Sequence, residues 1–244
     1  MKLTSLFIIV LVSLSVSCKK DEVSPATNTT LPEVFTKKYA SSVTIYVEGD
    51  FIVFKTTAIP NHKSPYFGVA DSRYEAYNGT NANFAINPNT IKEQNYVFKI
   101  PLNPKEASTK AATSLGPMGI SINGVPLFNQ FAGPNQPLTN EINSFDQYNG
   151  HPQQTGQYHY HVEPLYITST TSKAGLIGFL LDGFPVYGPL ESGKTLTSAD
   201  LDTYHGHTSV TEDYPDGIYH YHITADSPYI NGGKFFGTSG TVTQ

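Results

Sequence analysis

Three blocks of sequence occur twice, in the same order, in the second half of this chain. Residues 119–128 (Gly-Ile-Ser-Ile-Asn-Gly-Val-Pro-Leu-Phe) lie over residues 178–187 (Gly-Phe-Leu-Leu-Asp-Gly-Phe-Pro-Val-Tyr) at an offset of 59. Asp-Gln-Tyr-Asn-Gly-His at 146–151 lies over Asp-Thr-Tyr-His-Gly-His at 202–207, an offset of 56. Tyr-His-Tyr-His at 158–161 recurs at 219–222, an offset of 61. Recurring block order at nearly constant spacing is the mark of a duplicated structural unit, and a single unit cannot bury its own apolar face. The repeat halves span about residues 116–170 and 175–230.

Each unit reads as a hairpin turned at Asn123-Gly124 or Asp182-Gly183, then a loop ending in D-x-Y-x-G-H, then a strand Tyr-His-Tyr-His. Upstream, the β-branched and aromatic runs 43–47 and 51–54 flank Glu48-Gly49-Asp50 and predict a further hairpin. Residues 95–102 alternate in the strand period, and only a short turn near residues 107–112 breaks the β pattern. Low charge, no Trp, 16 Tyr, 14 Phe and many Gly, Pro, Asn and Thr suit a β-rich extracytoplasmic domain. The expectation is a mainly-β fold, one sandwich- or barrel-like domain over residues 33–244, with the internal pseudo-duplication in its second half and the N-terminal hairpin completing the sheets.

These residues resemble the YHYH-domain proteins, exported bacterial proteins named for the tetrapeptide. The similarity takes in Ile59 to His62, the stretch 94–104, the run 182–189, the loop 202–207 and the second tetrapeptide, covering roughly residues 43–237. What the resemblance implies is the domain and its export; it carries no mechanism.

The start of the chain fits export. Lys2 precedes an apolar stretch, 3–16, that is too short for the ~20 residues a spanning helix needs, and small residues then lead to Cys18. Residues 1–17 are expected to be a signal peptide of the lipoprotein kind, with Cys18 as the acylated first mature residue, although Ser15 stands where leucine is usual and Leu14 lies one place further out. Residues 18–32, polar after Lys19 and Lys20, then form a tether. The expected location is the cell envelope: an outer-membrane lipoprotein, periplasmic or surface-exposed, held to the membrane through lipid alone.

Cys18 is the only cysteine, so with it acylated no thiolate remains for catalysis or zinc. Loss of 17 residues from 244 leaves 227, enough for a sizeable core. Lys2 departs too, so 14 basic side chains face 20 acidic ones and the net charge is −6, which argues against nucleic acid as a partner.

A strand sends alternate side chains to opposite faces, so His159 and His161 share one face, as do His220 and His222, at ~7 Å between Cα atoms. Two imidazoles at that spacing can converge on one ion. His151 and His207 would add a third ligand from loops that Gly150 and Gly206 let turn tightly. Asp146 and Asp202 could ligate, or orient an imidazole from behind. His62 and His205 remain possible ligands at the rim. The tyrosines of the tetrapeptides, Tyr158, Tyr160, Tyr219 and Tyr221, face away and read as core.

Six of the eight histidines fall in matching places of two repeats, which favours a metal site over hydrogen-bonded structural residues. Imidazole sets select copper, zinc, nickel or iron over calcium or magnesium, and copper, then zinc, is the expected ion. The leading expectation is a metal-binding envelope lipoprotein. A metalloenzyme with a three-His centre, hydrolase or oxidase, is the second, and a glycan- or protein-binding surface module the third. The chain has no Ser-His-Asp elbow, H-E-x-x-H motif or phosphate loop. Whether the halves form two sites or share one is left open by the sequence.

Overall fold

A computed structural model describes residues 30–244. The proposed signal peptide, Cys18 and most of the tether lie outside the described residues. Among the described residues no helix is long and apolar enough to cross a membrane. The fold is mainly β. Its helices are short: Glu33–Lys37, Leu165–Thr170 and two single 3-10 turns.

The duplicated blocks build one eight-stranded sheet. From edge to edge its strands are Gly206–Ser209, Ile218–His222, Pro185–Tyr187, Leu176–Leu180, Pro117–Ser121, Pro126–Phe128, Tyr158–Tyr160 and Gly150–Pro152. Counted outward from the middle, both directions meet the same series: two hairpin strands, the tetrapeptide strand, then a short edge strand. The central pair is antiparallel, with Gly178 opposite Ser121, Phe179 opposite Ile120 and Leu180 opposite Gly119. Phe179 and Ile120 are repeat equivalents at the offset of 59, so a pseudo-twofold axis passes between them.

Glycine is required where the two halves meet. A Cβ on Gly178 would run into the Ile120 carbonyl, and one on its equivalent Gly119 into the carbonyl of Phe179. In each half the hairpin turns at a glycine of positive φ, Gly124 at 84° and Gly183 at 83°, which lets the backbone enter the left-handed region without cost to a side chain. The tetrapeptide strand then joins the hairpin in parallel, Leu127 against Tyr160 and Val186 against Tyr221.

The N-terminal hairpin does not complete this sheet. Thr44–Glu48 and Phe51–Thr56 pair with Tyr96–Pro101 and the C-terminal strand Thr241–Thr243 to make a separate four-stranded sheet, and neither sheet closes into a barrel. Tyr96, Phe98 and Ile100 alternate inward as the sequence period predicts. The two sheets share one core, in which Ile52, Phe54 and Phe98 join Ile120, Leu127, Phe179 and Val186. Phe35 of the first helix bridges them, its ring 5.8 Å from Phe54 and 4.6 Å from Phe179. No turn forms a helix at 107–112; single bridges, Glu106 to Gly237 and Ala112 to Lys234, hold that segment flat.

Residues 57–95 carry no strand beyond one bridge and lie against the first repeat. Asn87 and Asn89 donate to the Pro152 carbonyl, Ala85 N–H to that of Asn143, and the Ser64 hydroxyl to Asp146.

Candidate metal centres

The tetrapeptide strands work as the period demands. All four tyrosines turn into the common core, and each is buried. Tyr158 donates to Asp146 at 2.8 Å, and its equivalent Tyr219 to Asp202 at 3.1 Å. Tyr160 accepts from Asn123, and Tyr221 donates to Asp182, the residue equivalent to Asn123, at 2.6 Å. Asp146 and Asp202 therefore serve the tyrosine face. They also accept the N–H groups of Gly150 and Gly206 and contact none of the six repeated histidines, so they are neither ligands nor ring orienters.

Their loops also differ from the sequence expectation. The left-handed residues are Asn149, φ 65°, and His205, φ 77°, rather than the glycines that follow. Gly150 is needed because the Tyr158 phenol sits where a Cβ would project, and Gly206 because the His220 carbonyl and the Tyr219 phenol do. His151 and His207 lie on paired edge strands, directly opposite His159 and His220. Cross-strand neighbours have Cβ atoms about 5 Å apart, closer than the same-strand pair, so each half assembles a triangle of rings on one face.

The Nε2 atoms converge. In the first half His151 and His159 are 3.1 Å apart at Nε2, and His159 and His161 are 3.0 Å apart. In the second, His207 and His220 approach to 3.2 Å. Each triangle has a carboxylate that the sequence reading missed. Glu141 Oε1 is 3.1 Å from His151 Nε2 and 3.9 Å from that of His161. Glu191 lies 3.1, 3.6 and 4.0 Å from His207, His220 and His222. All four donor atoms of each group lie within 4.8 Å of one another.

Backbone carbonyls set the tautomers. A carbonyl only accepts, so the ring nitrogen facing it carries the proton. His159 Nδ1 donates to the Gln157 carbonyl and His161 Nδ1 to that of Asn129; His220 donates to Ile218 and His222 to Gly188. These partners are themselves repeat equivalents, at offsets of 61 and 59. His151 Nδ1 meets the Ser144 hydroxyl at 2.7 Å, and that hydroxyl donates to the Glu141 carbonyl, so it accepts from the ring. Five rings thus turn an Nε2 lone pair toward the centre of their group.

Burial favours the neutral form of four of these rings, His159, His161, His220 and His222. It drives the pKa values of His161 and His222 down to about 4, and lowers those of His159 and His220 as well, with neighbouring rings adding to the effect on His159. Burial pushes Glu141 up, and His151 and His161 outweigh it only when they carry a second proton, by a hydrogen bond from His151 and by the charge of both rings, which then holds the carboxyl below its usual range. Glu191 is also lowered; there burial is opposed first by the Ser209 hydroxyl and then by the charge of the three rings when they are protonated.

The other two histidines stand apart. His62 donates from Nδ1 to the Lys63 carbonyl and accepts from Tyr160 at Nε2, packed by Tyr148 and Tyr166. His205 Nε2 meets the Thr224 hydroxyl at 3.0 Å. Neither ring enters a cluster.

No curated protein and no solved structure is significantly similar to the chain. The family model described as YHYH protein matches residues 97–196 and 191–234, which takes in both hairpins, both tetrapeptide strands and every histidine and glutamate of the two clusters. With more than half its length so matched, the chain belongs to the YHYH protein family.

Proposed function

We propose that this protein binds two transition-metal ions, copper or zinc, each held by three histidine Nε2 atoms and one glutamate, and that it does so in the cell envelope as a lipid-anchored protein. The observation that carries the reading is the orientation of the rings. Neutral imidazoles directing lone pairs at one another, with a carboxylate among them, repel unless a cation lies between. Protons are a poor choice for that cation, because burial disfavours the imidazolium form of His159, His161, His220 and His222. The short Nε2 separations also fit: donors bonded to one ion at ~2.0–2.1 Å sit roughly 3 Å from each other. His222 Nε2 is a buried acceptor with no hydrogen-bond partner among the described residues, as a metal ligand would be.

The carboxylates add an argument independent of the repeat. Glu191 follows Glu141 by 50 positions, whereas the blocks on either side are offset by 59 and 56. The residue at Glu141 plus 59 is Asp200, which closes its own 3-10 turn by accepting from the Thr197 N–H, and the residue at Glu191 minus 59 is Ala132. Each half thus reaches the same donor set by a different route, which inheritance of a structural motif alone does not produce.

A bound divalent ion would supply Lewis acidity at a site where the chain offers no thiolate, and the carboxylate offsets part of its charge. A catalytic role is the second reading, favoured by the clefts of about 190 and 220 Å³ that reach the two clusters. Elemental analysis of the purified full-length chain tests the main proposal: two equivalents of copper or zinc per chain are expected, and metal-free protein after equilibration with both ions would sink it. Turnover assays on the loaded protein then separate binding from catalysis. The anchor has its own test. Cys18→Ala should release the chain from the membrane fraction, and its retention there after signal cleavage would contradict acylation.

A further inference from the structure

The two clusters are built alike at their centres and differently around them. In the first, all three rings are fixed at Nδ1, His151 by Ser144, His159 by Gln157 and His161 by Asn129. Two phenyl rings clamp the imidazoles: Phe128 stacks on His159 at 4.0 Å, and Phe145 meets His151 at 4.8 Å and His161 at 5.9 Å. The His151 side chain is 5 % exposed. Residues 57–95 cover this half, and the cleft that reaches Glu141, His159 and His161 has Leu115, Phe128, Phe131 and Gln153 in its wall and, among the described residues, no ionisable group besides Glu141 and the histidines.

The second cluster keeps two of these ring holders, Ile218 for His220 and Gly188 for His222, but lacks the rest. His207 is 29 % exposed, and no protein group holds its Nδ1 among the described residues. Leu201, offset 56 from Phe145, replaces the second phenyl ring, leaving Tyr187 alone against His220 at 5.3 Å. Glu191 is carried by a two-residue ladder, Leu190–Glu191 with Lys194–Thr195, whose turn passes through Ser192 at φ 49°. The cleft of about 220 Å³ that reaches His220, His222 and Glu191 is rimmed by Glu212 and Asp213. Lys38 pairs with both at 3.7 and 3.3 Å, which leaves the rim with net negative charge. The buried, unpartnered Nε2 of His222 belongs to this cluster.

We infer that the two centres divide the work: the first retains its ion as part of the fold, and the second, entered through the acidic cleft, is where a divalent transition-metal cation enters and leaves. The inference rests on the two-centre reading above. Groups that fix a ligand ring from behind typically change metal affinity 10–100-fold, so an unheld, exposed His207 makes the second ion the faster to go. Negative charge at a cleft mouth raises the local cation concentration and the rate of capture, an effect that salt suppresses.

The test is zinc release from the full-length, two-zinc chain into excess chromophoric chelator. Two phases are expected, separated 10–100-fold in rate. The fast phase should be absent in His220→Ala and the slow phase absent in His159→Ala. A single phase, or the reverse assignment, overturns the division while leaving both metal sites intact; protein that takes up no zinc overturns the two-centre reading itself. A variant remote from the ligands guards against misfolding. Glu212→Gln, at a side chain 86 % exposed, should slow zinc loading of the second centre severalfold at low salt, with the difference vanishing at high salt. Loading at an unchanged rate would rule out entry by this cleft.

Discussion

Glu141 and Glu191 were the residues least visible in the sequence, and the reason is geometric. The histidines announce themselves by repetition, but the two carboxylates occupy unrelated places, a 3-10 turn and a two-residue ladder, and only the folded chain brings them together. Asp146 and Asp202 repeat as the histidines do, and that shared repetition drew them to the wrong face. Asp182 shows the opposite imbalance between environment and charge. It accepts from Tyr221, Gly237 and Phe184, yet burial outweighs these donors and raises its pKa from 3.8 to about 6. An acid that holds its proton more tightly when folded stabilises the fold fully below pH 3.8, and that contribution is lost as pH rises through about 6. The shift is worth about 3 kcal/mol. Its equivalent Asn123 performs the same anchoring without a charge. Asp182→Asn should therefore remove this loss, so that the stability of the variant relative to the parent in urea unfolding is greater at pH 7 than at pH 4 by up to about 3 kcal/mol. An unchanged pH profile would mean that Asp182 holds its proton no more tightly in the folded chain than in the unfolded one.

The strand elements were more legible than the connections between them. Alternation along Tyr-His-Tyr-His separates a core-facing tyrosine pair from a histidine pair on the other face, and the structure keeps that division in both halves. The hairpins at Asn123-Gly124 and Asp182-Gly183 also follow directly from their turn residues. What escaped the sequence was partnership. Nothing local says that the hairpin at 44–56 joins Tyr96–Pro101, itself paired with the far C-terminal strand, rather than the duplicated sheet, because pairing at that separation is decided by the shared core around Phe35, Phe54 and Phe179. Nor does local sequence show that His151 and His207 sit on strands, since each strand is only three or four residues long. The tight crossing of the two central strands gives a sharp check on the register. Gly178→Ala should destabilise the domain by about 1–3 kcal/mol in denaturant unfolding, through overpacking against the Ile120 carbonyl. A neutral effect would mean that the strands pass further apart than this register allows.

At the level of the molecule, the duplication explains why there are two histidine–glutamate clusters and why they lie apart. The axis runs through the middle strands, Ile120 against Phe179, while the histidines lie on the two outermost strands at each end of the sheet. Each half can therefore complete a cluster from its own residues, and one shared site on the axis is not what this topology builds. The most direct test is the metal content of three full-length chains equilibrated with copper or zinc: the parent, His159→Ala with His161→Ala, and His220→Ala with His222→Ala. Two ions, one and one are expected, with circular dichroism of the variants unchanged; two ions retained in either double variant, or none in the parent, would contradict the account.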